Sequence, residues 1–350
     1  MKIIRHISLL LFCFVTAFTL ASCERKEEAP KMQVENYYEF FDTVSSVFSY
    51  HGDSAEQFEK NCNDVASLLG KYHKLLDIYY EYSGINNLKT INKNAGIAPV
   101  TVDDELIDFL LYAKEIYEVT QGKTNVAMGA VTKLWHDARE YSTKNPEKAY
   151  IPSANALEEA ANHCDINKLI IDKKARTVFI SDADMSLDVG ALGKGYATEL
   201  AAKLLIERGV TSYVLYIGGN IRAIGTKPGA NGWTTGITNP YKSSSEIFVS
   251  KVVIKDTALV TSGDYERFYT VNGINYHHII DPATNMPAHY FSSVSIFTED
   301  SGLADALSTA LFCMSYEDGL KLVSNIGNVE VLWVTPDGEI KVTENIEFAK

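Results

Sequence analysis

The sequence predicts a single α+β domain, on three observations. Apolar residues recur with a helical period over His51–Tyr80 and from Leu106 to Tyr117. Tyr38–Tyr50, Ile166–Ile180 and Tyr213–Ile217 instead carry aromatic and β-branched residues in strand-like runs. No internal repeat, low-complexity tract or interdomain linker breaks the chain beyond residue 36. With 350 residues, 46% hydrophobic and 22% charged, the chain can bury a sizeable core.

The N-terminus precedes that domain. Lys2 and Arg5 followed by the apolar run Ile7–Leu20 read as a signal peptide over residues 1–22, too short an apolar run to span a bilayer comfortably. Leu20-Ala21-Ser22-Cys23 matches the bacterial lipobox, which makes Cys23 the lipidated first residue of a membrane-anchored, extracytoplasmic protein. Residues 23–36 are charged and aperiodic and are expected to be a flexible tether, with the domain running over 37–350. The formal charge of −13 excludes a nucleic-acid footprint, and any phosphate-bearing ligand needs local help from a cation. Cys62, Cys164 and Cys313 show no Cys-x-x-Cys spacing and are expected to be buried thiols.

Taken in order, Tyr38–Tyr50 reads as a strand interrupted at Asp42-Thr43, and His51–Tyr80 as a helix. Asp103 is placed to cap a helix through Tyr117, and Gln121–Asn125 forms the turn after it. Ser153–His163 is a short helix, and Ile166–Ile180 a hairpin. Ser186–Asp188 reads as a strand end, leading through Gly190, Gly193 and Gly195 into a helix to Glu207. That glycine-spaced helix start could seat an anion, with Lys194 beside it; a purely structural turn explains it equally well. It matches neither G-x-x-x-x-G-K-[ST] nor G-x-G-x-x-G.

Two further stretches carry chemistry. His277-His278-Ile279-Ile280-Asp281-Pro282 delivers imidazoles to a strand end, so His278 is a candidate general base and Asp281 a candidate partner for it. Ser262 with His278 invites a serine-hydrolase reading, but G-x-S-x-G is absent. Asp305 and Thr309, four apart on a helix, stack on one face and offer the hard oxygens Mg²⁺ prefers. The bland alternative is Asp305 meeting its own helix dipole with Thr309 bonded to the carbonyl four residues back.

Together these segments resemble the ApbE family of bacterial flavin transferases. The pattern D-x-G-x-x-x-K-G-Y-A-x-[DE] is met by Asp188–Glu199, G-G-[DN] by Gly218–Asn220, T-S-G-D-Y by Thr261–Tyr265, H-I-I-D-P by His278–Pro282 and A-D-A-x-x-T-A by Ala304–Ala310. The resemblance implies a two-lobed fold with flavin in the cleft between lobes, and Mg²⁺-dependent transfer of FMN from FAD to a Thr or Ser of a target protein, with AMP released. It implies Asp305, Thr309 and the Ala191 carbonyl as Mg²⁺ ligands, Lys194 at the FAD phosphates and Asp188 at the nucleotide. Tyr82, Lys123, Thr124, Asn125 and Ile279 would line the flavin site, and His278 would be the base. An FAD pyrophosphatase giving FMN and AMP, or a non-catalytic FAD-binding lipoprotein, are the alternatives. The chain departs from the family at Gly122-Lys123-Thr124-Asn125, where G-A-F-D is common, and at Asn285, where glycine is usual.

Overall fold

A computed structural model describes residues 31–241 and 244–349. The expected signal peptide, Cys23 and residues 24–30 of the expected tether lie outside them. β1 (Gln33–Tyr37) and β2 (Ser45–Ser49) precede α1 (Ala55–Leu75). Then come α2 (Leu88–Lys93), β3 (Val100–Thr101), α3 (Asp104–Val119), α4 (Gly129–Lys144) and α5 (Ala154–Ala161). The hairpin β4 (Leu169–Asp172) and β5 (Thr177–Ile180) leads to α6 (Gly193–Glu207). The rest is strand-rich. β6 (Ser212–Ile217), β7 (Asn220–Gly225), β8 (Trp233–Thr238), β9 (Phe248–Ile254) and β10 (Ala258–Gly263) are followed by β11 (Phe268–Val271) and β12 (Ile274–His277). β13 (Ile280–Asp281), β14 (Met286–Pro287) and β15 (Ser293–Thr298) lead to α7 (Ser301–Phe312), α8 (Tyr316–Ile326), β16 (Glu330–Val334) and β17 (Ile340–Val342).

Eight strands form one sheet in the order β1-β2-β6-β7-β10-β15-β16-β17. Every neighbouring pair is antiparallel, as an α+β fold requires. β15 is buried at all six positions because both faces are covered. Side chains alternate between those faces. Val260 and Ile296 face Leu307 and Leu311 of α7, whereas Leu259, Phe297 and Leu332 face Ile237 and Val252 of the β8–β9 hairpin. The whole stretch from α1 to α6 is inserted between two adjacent strands, β2 and β6.

Helices α6 and α7 are locked together reciprocally. Gly195 N–H, in the first turn of α6, donates to Asp305 Oδ2 on α7 (2.7 Å), while Ser301 N–H, opening α7, donates to Glu199 Oε2 on α6 (2.9 Å). Each carboxylate satisfies a donor that a helix start would otherwise leave unpaired. Contact this close needs glycine at 195: a Cβ there would lie 2.4 Å from both Asp305 Cβ and the Ser301 carbonyl oxygen. Glu199 also receives Arg222 Nε of β7 (3.0 Å), so the buried pair leaves neither charge alone.

Several expectations change. Among the described residues the first strand starts at Gln33, inside the expected tether, because β1 pairs with β2 along its length and Tyr37 is buried with its hydroxyl donating to the Cys62 carbonyl. Its polar, edge-strand composition hid it. The expected strand over 38–50 shrinks to β2, since Phe41 and Asp42 adopt φ of 54° and 51° and turn the chain. α1 stops at Leu75, where Asp77 Oδ1 accepts the N–H groups of Tyr79 and Tyr80. Asp103 makes no cap bond and lies 3.8 Å from Arg176 instead. No strand precedes the glycine turn at 186–188; Asp188 N–H donates to the Val126 carbonyl (2.8 Å). Cys62 and Cys313 are buried, but Cys164 only partly so.

Candidate active site

The sheet, α6, α7 and the loops beyond α1 and α3 enclose a cleft of about 890 Å³, within the range of small-molecule sites. Every residue expected at the site other than Cys23 lines it: Tyr82, Lys123, Thr124, Asn125, Asp188, Ala191, Lys194, His278, Ile279, Asp305 and Thr309. Its lining carries Lys and Arg in equal number to Asp and Glu, six of each, on a chain whose formal charge is −13. The cleft is therefore balanced in charge, so an anion meets less opposition there than the net charge of the chain suggests.

The α6–α7 corner forms one wall. Asp305 is buried, and its Oδ2 accepts from Gly195 N–H and faces Lys194 Nζ at 3.8 Å. Its Oδ1 accepts nothing from the described residues. Thr309 Oγ1 has no hydrogen-bond partner among the described residues; it is Ser308 whose hydroxyl donates to the Asp305 carbonyl (2.8 Å). Asp305 caps α6 rather than stabilising its own helix, so neither half of the bland reading holds. The Ala191 carbonyl, just ahead of α6, accepts no hydrogen bond from the described residues. Three hard oxygens free of protein partners, only one of them charged, fit Mg²⁺, which takes few protein ligands and completes its shell with water and phosphate. Gly218 and Gly219 turn β6 into β7 with φ of 51° and 94°, as a two-residue hairpin loop requires. That turn brings buried Asn220 Nδ2 to 3.5 Å from Asp305 Oδ2.

The two adjacent histidines separate by role. His277 Nε2 donates to the Ala288 carbonyl (2.7 Å) and its Nδ1 accepts Ile279 N–H (3.2 Å), so the buried ring is neutral and structural. Burial, then neighbouring His289, lowers its pKa to about 4. A lowered pKa means the unfolded chain binds the proton first. Stability from His277 is thus complete above about pH 6.5 and drains away as pH falls towards 4, roughly 3 kcal/mol in all, which chemical denaturation across that range should register. His278 makes no hydrogen bond to any described residue, and its ring opens into the cleft. The packed surroundings at the cleft wall, then the charges of Arg267, His277, Arg139 and Lys194, hold its pKa below the ordinary histidine value. Asp281 does not orient it. That carboxylate pairs with Lys123 Nζ (2.8 Å) and accepts Ala283 N–H within its own turn. Ser262 is hydrogen-bonded to Ser308 (2.8 Å) and not to His278, so no serine nucleophile is assembled.

The remaining expected residues divide between open and occupied side chains. Tyr82 donates to Asp77 Oδ2 (2.7 Å), and partial burial followed by that bond pushes its pKa up to about 12. Lys123 is committed to Asp281. Thr124 donates to the Ala306 carbonyl of α7 (2.7 Å), and Asn125 accepts Ala127 N–H while donating to the Cys164 carbonyl. In this chain 123–125 therefore binds the loop to the scaffold, with its backbone at the cleft. Asp188 accepts from Thr132 Oγ1 (2.8 Å) and Gly190 N–H (3.0 Å), shaping the turn that presents Ala191. Buried Ile279 supplies an apolar patch, and Asn285 adopts φ 59°, keeping the turn after Pro282 without glycine.

Tyr79, His136, Arg139 and Arg267 also line the cleft and were not singled out from the sequence. Arg139 and His136 sit on the polar side of a surface helix, where nothing in the spacing marks them. The signal was compositional: isolated arginines in an acidic chain.

The ApbE family profile matches residues 41–333. The FAD:protein FMN transferase of Treponema pallidum (strain Nichols) is 33% identical over 318 residues, covering 87% of this chain and 85% of that protein. The FAD:protein FMN transferase of Klebsiella pneumoniae (strain 342) is 28% identical over 277 residues, covering 79% and 82%. The crystal structure of the ApbE protein from Thermotoga maritima superposes with a TM-score of 0.77 at 29% identity, covering 90% of this chain and 97% of that one. With the same motifs gathered around one cleft and the family profile spanning most of its length, the chain belongs to the ApbE family.

Proposed function

We propose that this protein is a transferase that moves FMN from FAD onto a serine or threonine hydroxyl of a target protein, with AMP as the other product. The observation that carries the reading is a partner-free imidazole, His278, opening into the same cleft as the paired hard oxygens of Asp305 and Thr309. The hydroxyl oxygen attacks the phosphorus on the flavin side of the diphosphate, the P–O bond to the AMP phosphate breaks, and the hydroxyl proton passes to His278. Lys194 faces the diphosphate, and the turn held by Asp188 orients the nucleotide. Asp305, Thr309 and the Ala191 carbonyl would hold Mg²⁺, which supplies charge neutralisation at the diphosphate oxygens. The lipobox supports a lipid on Cys23 and hence an extracytoplasmic, membrane-anchored enzyme acting on a protein in the same compartment.

The test is incubation of the chain from residue 24 with FAD, Mg²⁺ and a flavin-acceptor domain, following AMP and the acceptor's mass together. An acceptor heavier by one FMN, with EDTA abolishing the gain, is expected. AMP and free FMN with an unmodified acceptor would make the protein a pyrophosphatase, and intact bound FAD without AMP a binding protein.

A further inference from the structure

The described residues include five arginines: Arg139, Arg176, Arg208, Arg222 and Arg267. Three hold carboxylates: Arg176 those of Asp103 and Asp104, Arg208 that of Asp64, and Arg222 that of Glu199. In a chain with 45 acidic and 32 basic residues, this is the expected fate of a guanidinium. The other two depart from it. Arg267, exposed in the turn between β10 and β11, makes no hydrogen bond or ion pair with any described residue. Arg139, on α4, makes one contact, from Nη2 to His136 Nδ1 at 3.1 Å. Both line the cleft, and the charges of both bear on His278 and on Tyr79.

A guanidinium carries five donors in a fixed fork that matches two oxygens of a phosphate or carboxylate. Where the fork is left empty and faces a cavity, its partner is to be sought in the cavity. Three of the cleft's four lysines differ in this respect: Lys123, Lys133 and Lys194 lie against Asp281, Asp137 and Asp305, while Lys89 has no carboxylate partner among the described residues. Resting on the flavin-transfer reading, the chemistry identifies the anion. His278 takes the proton of the attacking hydroxyl, so the phosphoryl group under attack lies next to His278. Arg267 and Arg139 line the same cleft as that imidazole, so an open fork there can meet the oxygens of that group.

We propose that Arg267 and Arg139 form a guanidinium clamp on the flavin-side phosphoryl group, holding its non-bridging oxygens while the bond to the departing AMP phosphate breaks. The clamp is built on α4 and the β10–β11 turn, which supply none of the oxygens proposed for Mg²⁺. It stabilises charge where charge is redistributed during transfer, so its effect falls chiefly on rate.

The test uses the full chain in detergent, with R267A, R139A and R267K beside the wild type. Inorganic pyrophosphate binding is titrated calorimetrically in EDTA, and single-turnover FMN transfer from FAD to an acceptor is timed with Mg²⁺. R267A is expected to slow transfer by about 10²-fold or more and to weaken metal-free pyrophosphate binding about tenfold; R139A should act in the same direction. R267K should regain pyrophosphate affinity but little of the rate, because it restores charge without the fork. Since Arg267 is exposed and makes no hydrogen bond or ion pair with the described residues, R267A should melt with the wild type. Transfer within threefold of wild type in both alanine variants would overturn the clamp. So would slow transfer with unchanged pyrophosphate affinity, which would assign the arginines to the acceptor protein. A wild-type protein that transfers no FMN, yet loses pyrophosphate affinity in both variants, would retire the flavin-transfer reading and keep the clamp.

Discussion

Replacing His278 with alanine is expected to slow FMN transfer by about 10²- to 10⁴-fold, the range for loss of a positioned general base. The fold should barely respond. The ring has no hydrogen-bond partner among the described residues and opens into the cleft, so its removal should shift stability by no more than about 0.5 kcal/mol. The neighbouring substitution supplies the contrast: His277→Ala would strand the Ala288 carbonyl and Ile279 N–H in a buried position and should weaken folding first. The pH profile carries the same assignment. A base must be neutral to accept a proton, and the His278 pKa lies below the ordinary value, so the rate should stay flat through pH 6.5 and fall only well below it. A depressed pKa makes a weaker base but keeps it unprotonated in a cation-lined cleft. Rapid-quench transfer by H278A at the wild-type rate would remove the assignment.

Asp305→Ala should cost both rate and stability, because one carboxylate serves two ends. Loss of the charged oxygen proposed for Mg²⁺ should cost several kcal/mol of transition-state stabilisation, about 10³-fold in rate. The same change leaves Gly195 N–H without its acceptor, for roughly 1 to 2 kcal/mol of stability. Asp305→Asn separates the effects, since an amide oxygen can still accept from Gly195 while the negative charge is gone. Thermal melts should place D305N near the wild type and D305A below it, with both slowed about 10³-fold across a Mg²⁺ titration. An unaltered Mg²⁺ requirement in D305N would remove Asp305 from the metal site.

Much of the site was legible because its residues sit in short segments with fixed local geometry. A glycine-spaced helix start and an i, i+4 pair on a helix say where Lys194, Asp305 and Thr309 point before any fold is known. Partnerships across the chain were not legible. Nothing local shows that Asp281 is taken by Lys123, that Thr124 is tied to α7, or that Asp305 caps a helix other than its own, because each contact joins segments over a hundred residues apart. Nor did alternation alone separate His277 from His278; the hydrogen bonds of the first decide it. The fold class followed from periodicity, whereas β1 was lost to its polar edge and the strand over 38–44 was overcalled where aromatic residues serve a turn.

The insertion of α1 through α6 between adjacent strands β2 and β6 means that the cleft draws on segments spread from Phe41 to Thr309. Tyr82, Asp188 and Lys194 come from the insertion, while His278 and Asp305 lie beyond β10, on the other side of it in the chain. A chain arrested before β15 and α7 assemble has loops but no substrate site. Substrate therefore favours only the completed fold, and occupancy of the cleft should raise the protein's resistance to global unfolding as a whole rather than stiffen one region of it.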